Sequence, residues 1–352
     1  LAALRGQWTA MTGTKMYLTG GLGARWEGES FGDPFELPAD RAYAETCAAV
    51  ASMQWAWRLL LATGEAAYAD LMERTLYNGI LPGISLSGDR FFYVNALQLR
   101  ADASGVEDSR MVANGRQPWF GTSCCPTNTM RTLATLAHYL TTSSGDGLQL
   151  HQYAPMRVRT TVGGAGGQPV ELAVATEYPW DGRVEVEVRA GGDAPWTLTL
   201  RVPAWAAGAE LAVNGQPAGV AAEPGTYAAV RRRWARGDVV TLTLPMTPRL
   251  TWPDERNDSA RGCAAIERGP LVYCLEQADQ PDGAAVDTVS IDEGRIDEGT
   301  MMSRNQPGLL GGITTIDAPG RVAGQPVTLT AVPYFTWANR GAGAMRVWIP
   351  RS

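Results

Sequence analysis

The hydrophobic pattern of this chain changes once along its length, and that change constrains the fold more than any other feature. Up to residue 142, apolar side chains recur every three or four positions between loops, which indicates helices. From residue 148 onward they recur at every second position, for example over Arg183–Arg189, which indicates strands with one buried face. We therefore expect an α+β protein with more than one domain.

The same pattern predicts individual elements and domain limits. The predicted helices span about residues 1–12, 44–63, 66–79 and 127–142. Ser143–Gly147 resembles a linker, and Asn214-Gly215 is typical of a hairpin turn within an antiparallel β-sandwich. The acidic, glycine-rich stretch 281–325 could be a mobile excursion between later strands. The predicted domains are residues 1–142, 148–250 and 251–352, the last being a β-rich domain.

Charge and hydropathy exclude two classes of partner. The 352 residues include 30 basic and 36 acidic side chains, a net charge of −6, and no basic patch is large enough to predict nucleic-acid binding. No apolar stretch reaches the length of a membrane span. The chain opens at Leu1, inside a predicted helix, so we expect a fragment whose targeting signal could have been lost.

Two adjacent cysteines form the first part of a candidate site. Cys124 and Cys125 precede a predicted helix, and Pro126 suits the first turn of that helix because its missing N–H is not needed there. The positive end of the helix dipole favours thiolate over thiol, as a nucleophile or a metal ligand requires. The sequence therefore predicts a reactive or metal-binding thiol at this position.

Glu45 and Cys47 form the second part of the candidate site. Residues two apart do not share a helix face, but they can converge on one ion if the backbone turns there. One carboxylate with three thiolates is a donor set that suits zinc. Three alternatives stay open: the thiols could be small buried hydrophobes, Cys124 and Cys125 could form a vicinal disulfide, and Glu45 could be an ordinary solvated carboxylate.

The remaining titratable residues limit the possible chemistry. Five cysteines cannot all pair, and Cys263 and Cys274 lie in apolar β-like segments that predict core positions. Because His138 and His151 are the only histidines, acid–base chemistry would depend on carboxylates, tyrosine or cysteine. A long loop over residues 20–40 offers candidate acids. These are Glu27, Glu29, Asp33 and Glu36.

Several short motifs occur in an order that resembles one known family. The chain contains Glu-Thr-Cys-Ala at 45–48 and, further on, Cys-Cys-Pro-x-Asn at 124–128. The other blocks are Thr19–Gly23, Gly28–Phe31, Phe92–Asn95, Arg268–Tyr273 and Trp337–Gly341. Together they resemble the β-L-arabinofuranosidases of glycoside hydrolase family 127 and its relatives, over nearly the whole chain.

The resemblance implies a fold and a set of roles. The family fold is an (α/α)6 barrel followed by β-sandwich domains, of which residues 1–142 would form the C-terminal part of the barrel. Cys124 would be the nucleophile, Glu29 the general acid/base, and Tyr93 a residue that steadies the thiolate or the sugar. The implied zinc ligands are Glu45, Cys47, Cys124 and Cys125. Earlier barrel helices, with sugar-binding histidines, would be missing, so activity of this chain alone is expected to be weak or absent.

Two functions from different classes follow. The first is a retaining zinc-dependent glycosidase acting on β-L-arabinofuranosides or a related plant-derived glycoside. The alternative is a catalytically incomplete fragment with a structural zinc site and carbohydrate-binding β domains. Some relatives carry a further cysteine where this chain has Thr122, which puts an extra redox role in doubt but not the four ligands. Free thiolates favour a reducing cytoplasm, and the sequence does not define the oligomeric state.

Overall fold

The computed structural model describes residues 1–103, 108–145, 147–163, 166–341 and 343–352. These residues form four α-helices: α1 (Ala2–Thr14), α2 (Thr46–Thr63), α3 (Ala66–Thr75) and α4 (Cys124–Ala134). A short π-helical turn, Leu76–Ile80, continues α3, and a 3-10 turn, Leu136–Tyr139, follows α4. No helix among the described residues is both long and apolar enough to cross a membrane.

The strands of the described residues form three sheets. In chain order the strands are β1 (Gln98–Leu99), β2 (Thr141–Ser144), β3 (Gly147–Leu150), β4 (Met156–Val162), β5 (Gln168–Thr176), β6 (Arg183–Ala190), β7 (Trp196–Val202), β8 (Glu210–Val213), β9 (Gln216–Pro217), β10 (Thr226–Arg232), β11 (Val239–Thr243), β12 (Pro248–Thr251), β13 (Cys263–Arg268), β14 (Leu271–Glu276), β15 (Val289–Ile291), β16 (Met302–Gln306), β17 (Ile313–Val322), β18 (Gln325–Pro333), β19 (Met345–Arg346) and β20 (Ile349–Pro350). The architecture is therefore mixed α/β with extensive β-rich regions.

The chain divides into two compact units by its internal contacts. The first unit comprises residues 1–54, 74–132 and 247–352, and the second comprises residues 55–73 and 133–246. This division does not follow the three predicted domains, which stay a prediction. The (α/α)6 barrel also stays a prediction, because the described residues contain only four α-helices.

The first unit contains a ten-stranded sheet built from β1 and β12–β20. Its core holds the segment Phe92–Asn95 in place. Phe92 stacks on Trp337 with ring centroids 5.1 Å apart, and the Arg116 guanidinium lies 4.4 Å from the Phe92 ring. Arg116 also donates to the carbonyl of Trp337 at 2.7 Å. Packing and hydrogen bonding thus join the motif Phe92–Asn95 to the motif Trp337–Gly341.

The second unit contains a four-stranded and a six-stranded sheet. Along β6 buried and more exposed residues alternate, as predicted for a strand with one buried face. β8 and β9 pair across Asn214 and Gly215, whose φ angles are 51° and 76°, so the predicted hairpin is confirmed. Two sheets that each bury one face are what the predicted sandwich requires.

A buried ion-pair cluster lies in the second unit. The fully buried Arg201 pairs with Asp70 and with Glu73, which also accepts a hydrogen bond from the Tyr178 hydroxyl at 2.5 Å. Burial alone would lower the pKa of Arg201, but the adjacent carboxylates raise it well above its usual value. Arg201 therefore stays charged in the interior, where removing one partner would leave an unpaired buried charge.

Three predicted segments differ from the structure. The fourth helix begins at Cys124 and ends at Ala134, because the chain tightens into the 3-10 turn and then enters β2. The predicted linker 143–147 is wrong where it is described, since β2 and β3 pair across it. The stretch 281–325 is not an excursion: β15, β16 and β17 lie within it, and Val289 and Ile316 are buried. Glycine and charge content concealed these partly buried strands.

Candidate functional site

Four side chains that are distant in sequence converge in the first unit. Each of Glu45, Cys47, Cys124 and Cys125 offers one ligand atom, and these atoms all lie within 4.8 Å of one another. The Cys47 and Cys125 sulfurs are 3.3 Å apart, and Glu45 Oε1 lies 3.5 Å from the sulfurs of both Cys124 and Cys125. The predicted ligand set is therefore brought together, and the cluster could hold a metal ion.

A short stretch of antiparallel pairing positions Glu45. Glu45 pairs with Val94, while the Thr46 amide donates to the Tyr93 carbonyl at 3.0 Å. Asn95 donates to the Ala44 carbonyl through its backbone N–H at 3.1 Å and through its side-chain Nδ2 at 3.2 Å. Ala44 has a φ of 32°, in the left-handed region, so the chain turns sharply before α2 begins. This turn lets Glu45 and Cys47 face one point although a regular helix would separate them.

The beginning of α4 supplies the other two ligands. Cys124 is the first residue of α4, and Pro126 lies in the first turn, where its missing N–H leaves no hydrogen bond unmade. One turn further on, Asn128 Nδ2 donates to the Cys47 sulfur at 3.0 Å. Arg131 Nη2 donates to Asn128 Oδ1 at 2.5 Å and fixes the orientation of that amide. The helix thus holds two ligands and orients a third.

The three thiols differ in how readily they ionise. Hydrogen bonding from Cys125 lowers the pKa of Cys47, and Asn128 adds to this against the opposing effect of burial. The hydrogen bond to Cys47 and burial raise the pKa of Cys125. Burial raises the pKa of Cys124, although the Tyr93 hydroxyl opposes this. Within the cluster, hydrogen bonding therefore favours the thiolate form of Cys47, whereas burial disfavours it at Cys124 and Cys125.

The described cysteines are all free thiols, which excludes one of the alternatives. The Cys124 and Cys125 sulfurs are 3.9 Å apart, well beyond the ~2.05 Å of a disulfide. The alternative of a vicinal disulfide is therefore excluded. Cys274 is buried in β14, as predicted, whereas Cys263 at the start of β13 is only partly buried and lines a separate cleft.

Tyr93 lies beside the first cysteine of the pair. Its hydroxyl oxygen is 3.1 Å from the Cys124 sulfur, and its ring packs edge-to-face on Phe120 with centroids 5.3 Å apart. Burial and the contact with Cys124 raise the pKa of the Tyr93 hydroxyl. The hydroxyl therefore keeps its proton and can donate a hydrogen bond to a thiolate at Cys124.

Glu29 lies at the tip of a tight hairpin in the long loop. Arg25 and Ser30 pair across this hairpin, and Gly28 and Glu29 both have positive φ angles, of 69° and 49°. The Tyr43 hydroxyl donates to Glu29 Oε1 at 2.5 Å, and Arg110 Nη1 donates to the same oxygen at 3.1 Å. The strained turn thus directs the Glu29 carboxylate into a fixed set of donors.

Arg110 is itself held in place on three sides. Asp108 binds its guanidinium through two oxygens, with the Nη2 to Oδ2 distance at 2.7 Å. The guanidinium carbon lies 5.4 Å from the centroid of the Trp26 ring and 5.7 Å from that of Tyr93. Such planar, multiply bound arginines lose little freedom on orienting a carboxylate. Arg110 therefore connects the surroundings of Glu29 to those of Cys124.

Two other candidate acids in the loop are paired with a cation. Arg25 Nη2 lies 3.0 Å from Asp33 and 2.5 Å from Glu36. The hydrogen bond from Arg25 lowers the pKa of Glu36 to about 2. A carboxylate that is ionised so firmly is unsuited to donating a proton. The contact with Arg25 therefore argues against Glu36 as the acid.

Trp119, Thr122 and the two histidines lie outside the cluster of four. Trp119 is half-exposed, with its ring edge-to-face against Phe91 at 6.5 Å. Thr122 is exposed in the bend before α4. In the second unit, His151 is buried between Thr142 and Tyr227, and His138 is exposed.

Sequence reasoning did not assign roles to three residues that shape the site. Tyr43 and Arg110 hold Glu29, and Asn128 binds Cys47. Asn128 was detectable, since it ends the Cys-Cys-Pro-x-Asn motif. Tyr43 precedes Glu45 by two positions in an apolar context that predicts only burial. Nothing in the local sequence distinguishes Arg110 from other loop arginines.

Three family models match the chain in succession. The model described as Beta-L-arabinofuranosidase, GH127 catalytic domain, matches residues 1–138. The model described as Beta-L-arabinofuranosidase, GH127 middle domain, matches residues 147–246. The model described as Glycoside hydrolase family 127 C-terminal domain matches residues 248–350. The three matches together cover nearly the whole chain.

Individual relatives agree with these matches. A protein described as non-reducing end beta-L-arabinofuranosidase from Bifidobacterium longum subsp. longum is 35% identical over 97% of this chain and 54% of its own length. The crystal structure of a GH127 beta-L-arabinofuranosidase from Geobacillus stearothermophilus T6 superimposes with a TM-score of 0.89 and 36% identity, covering 98% of this chain and 56% of that one. A solved structure described as a glycoside hydrolase has a TM-score of 0.90 and 33% identity, covering 98% and 61%. The chain thus spans little more than half the length of these relatives.

Proposed function

The chain belongs to glycoside hydrolase family 127, and from that premise we propose that it is a retaining glycosidase acting on β-L-arabinofuranosides or a related plant-derived sugar. The observation that carries the proposal is the environment of Cys124. Its sulfur lies 3.1 Å from the Tyr93 hydroxyl and 3.5 Å from the Glu45 carboxylate, inside a cluster of four metal-ligand side chains. A thiol in such a cluster has the means to become an activated nucleophile.

The donor set supports zinc as the metal. Tetrahedral zinc with bonds of about 2.3 Å to sulfur and 2.1 Å to oxygen separates its sulfurs by about 3.8 Å and each sulfur from the oxygen by about 3.6 Å. The Cys125 sulfur lies 3.3 Å from that of Cys47 and 3.9 Å from that of Cys124, and Glu45 Oε1 lies 3.5 Å from the sulfurs of Cys124 and Cys125. Glu45, Cys47, Cys124 and Cys125 would hold the ion. When bound, zinc supplies the positive charge that keeps the thiols ionised at neutral pH.

The proposed reaction consists of two successive displacements at the anomeric carbon, in which Cys124 and Glu29 take part. The Cys124 thiolate attacks the anomeric carbon, the bond to the leaving oxygen breaks, and Glu29 gives its proton to that oxygen. Water then attacks the anomeric carbon of the thioglycoside, Glu29 takes a proton from the water, and the Cys124 thiolate leaves. Two inversions at one carbon give retention of configuration.

Tyr93 and Arg110 have supporting roles in this proposal. The Tyr93 hydroxyl donates to the Cys124 sulfur and stabilises its negative charge both before attack and on departure. Arg110 and Tyr43 hold Oε1 of Glu29, which leaves Oε2 to face a leaving oxygen. In the same proposal residues 1–142 belong to an (α/α)6 barrel, residues 148–250 and 251–352 form the β domains, and the protein works in a reducing compartment.

Turnover with matched cysteine variants tests the proposal. The reduced, zinc-supplemented chain is assayed on nitrophenyl glycosides, with α- and β-L-arabinofuranosides among them, and the anomer released is identified by NMR. We expect the β-L-arabinofuranoside to be the glycoside that is hydrolysed, with retention, although only weakly by this chain alone. Cys124→Ser should lower kcat/KM at least ~1,000-fold, because serine lacks both the thiolate and its affinity for the metal.

The control variant is Cys263→Ser, a thiol of the same unit outside the cluster, which should keep wild-type activity. Equal activity of Cys124→Ser and Cys263→Ser would contradict the nucleophile. A zinc-bound wild type that hydrolyses none of the glycosides would favour the alternative, in which the metal is structural and the β domains bind carbohydrate.

A further inference from the structure

Asn128 is a residue of α4 that acts on a ligand of another helix. It follows Cys125 by three residues and Cys124 by four, the spacing that places side chains on one face of a helix. Its Nδ2 donates to the sulfur of Cys47, which lies in the first turn of α2, at 3.0 Å. The face of α4 that supplies two ligands therefore also supplies a hydrogen bond to a third.

The contact with Arg131 defines the orientation of the Asn128 amide. Arg131 Nη2 lies 2.5 Å from Asn128 Oδ1, and a guanidinium can only donate hydrogen bonds. The atom that faces Arg131 must therefore be the amide oxygen, so the atom that faces Cys47 is the amide nitrogen with its hydrogens. The positive charge of Arg131 also polarises the amide, which strengthens the hydrogen bond from its N–H to the sulfur.

Cys124 has a different task from the other three ligands. In the proposed reaction its sulfur forms and then breaks a bond to carbon, so for part of the cycle it is no longer a thiolate. Glu45, Cys47 and Cys125 must then hold the ion without it. Cys125 is buried, whereas Cys47 is only half-buried, so water or a competing ligand can reach the Cys47 sulfur. A hydrogen bond that fixes this sulfur therefore matters for keeping the ion.

The charge of the site gives Arg131 a second effect. One carboxylate and three thiolates carry more negative charge than a single zinc ion neutralises, so a nearby cation stabilises the loaded site. Arg131 brings its positive charge within two hydrogen bonds of the Cys47 sulfur. Because the Arg131 side chain is exposed, this electrostatic contribution is modest and is screened by salt.

We propose that Asn128 is a positioning residue that keeps Cys47 bound to the metal, and that Arg131 orients and polarises the Asn128 amide for this purpose. The inference rests on the zinc site of the proposed function, but it does not require turnover. Residues that hydrogen-bond a metal ligand change metal affinity by about 10- to 100-fold when they are replaced. The loss of Asn128 should therefore appear first as faster loss of the ion.

The rate of zinc release from matched variants tests the inference. Asn128→Asp keeps the size of the side chain and its contact with Arg131, but it presents an acceptor to Cys47 in place of a donor. The reduced, zinc-loaded chain is mixed with an excess of a chromogenic chelator, and release should be at least about tenfold faster than from wild type. Asn128→Ala, which adds no charge, should show the same direction of change.

Met130→Ala is the matched control, because Met130 is an exposed residue of the same helix. It should release zinc at the wild-type rate, and circular dichroism checks the fold of each variant. Arg131→Gln removes the positive charge but keeps a hydrogen-bond donor. It should release zinc about threefold faster at low ionic strength, and the difference should shrink at high ionic strength because salt screens an exposed charge.

Cobalt in place of zinc gives a readout that a general loosening of the helix would not produce. The sulfur-to-cobalt charge-transfer bands depend on the energy of the sulfur lone pairs, which a hydrogen bond lowers. Asn128→Asp should therefore move charge-transfer absorption to longer wavelength, whereas Met130→Ala should leave the spectrum of wild type unchanged.

The outcomes separate this inference from the proposed function. Faster zinc release and a shifted cobalt spectrum of Asn128→Asp, in a protein whose wild type hydrolyses no glycoside, would support the positioning role and reject the glycosidase. Equal release rates and equal spectra of Asn128→Asp and Met130→Ala would overturn the positioning role and leave the zinc site intact. A wild-type chain that binds neither zinc nor cobalt would overturn both.

Discussion

At the scale of single residues, Glu29 is fixed through one of its two oxygens. Both Tyr43 and Arg110 donate to Oε1, and the Arg110 guanidinium is itself gripped by Asp108. A carboxylate that is oriented in this way loses little conformational entropy when it adopts the geometry for proton transfer.

The role of Glu29 predicts a dependence on the leaving group. Glu29→Gln keeps the shape of the side chain but removes proton transfer, so hydrolysis of glycosides with poor leaving groups should fall ~100- to 10,000-fold. Activated nitrophenyl glycosides, whose leaving groups need little protonation, should be affected much less. Steady-state kinetics on a series of leaving groups measures the difference.

Glu298→Gln, at an exposed carboxylate, serves as the control and should behave as wild type on every substrate. If Glu29→Gln kept full activity on glycosides with poor leaving groups, another carboxylate would have to be the acid. Glu27, two positions earlier in the same hairpin, would then be the next to test.

The sequence predicts the ligand residues better than their surroundings, for a physical reason. Thiolates and a carboxylate suited to a soft cation are uncommon enough that Glu45, Cys47, Cys124 and Cys125 could be selected by type and confirmed as a cluster. Arginine and tyrosine serve many structural purposes, so Arg110 and Tyr43 acquire their meaning only from the tertiary contacts with Glu29.

At the scale of elements, the site depends on where two helices begin. α2 begins directly after Glu45, at the left-handed turn of Ala44, and α4 begins at Cys124. The period of apolar residues predicted both helices, but it could not give their ends. In the second case Leu136 and Leu140 continue the helical spacing, although the backbone has already left the α-helix at Ala134.

The strand β3 leads directly to a buried histidine that predicts a pH dependence of stability. His151 follows β3 and contacts Tyr227 through Nδ1 at 2.5 Å and Thr142 through Nε2 at 2.8 Å. Burial, aided by the nearby charge of Arg201, lowers the pKa of His151 to about 4. Because the unfolded chain takes up the proton near pH 6.5, the free energy of unfolding should fall from pH 6.5 to pH 4, by up to about 3 kcal/mol from this group.

Denaturant unfolding at pH 7.5, 6, 5 and 4.5 measures this contribution by difference. The pH-dependent part assigned to His151 should be absent from His151→Gln, which keeps a polar side chain at the position. His138→Gln, at the exposed histidine, should show the wild-type dependence. The assignment to His151 would be wrong if His151→Gln lost stability between pH 6.5 and 4.5 as steeply as the wild type.

At the scale of the whole molecule, the cluster of Glu45, Cys47, Cys124 and Cys125 joins distant parts of the chain within one unit. Cys47 and Cys125 are 78 residues apart, and both lie in the first unit. An ion bound only by the folded state stabilises it by mass action, by about 2.7 kcal/mol at a free concentration one hundred times Kd. If the proposed function holds, the same ion would couple turnover to the stability of the unit that contains Glu29.

Zinc should consequently raise the thermal midpoint of unfolding of the reduced chain. Added zinc should increase the midpoint by several degrees, and a chelator should reverse the increase, because only the folded chain assembles all four ligands. Differential scanning calorimetry of wild type and Cys47→Ser measures the effect. An equal response of the two proteins to zinc would mean that the ion acts elsewhere.

Elemental analysis of the reduced chain, after exhaustive dialysis against metal-free buffer, tests whether Glu45, Cys47, Cys124 and Cys125 together bind one zinc ion. We expect about one zinc per chain for wild type and for Cys263→Ser. Cys47→Ser and Cys125→Ser that retain their fold by circular dichroism should lose most of it. Wild-type protein without zinc, or a Cys47→Ser variant that retains the full amount, would show that these four residues do not form the zinc site.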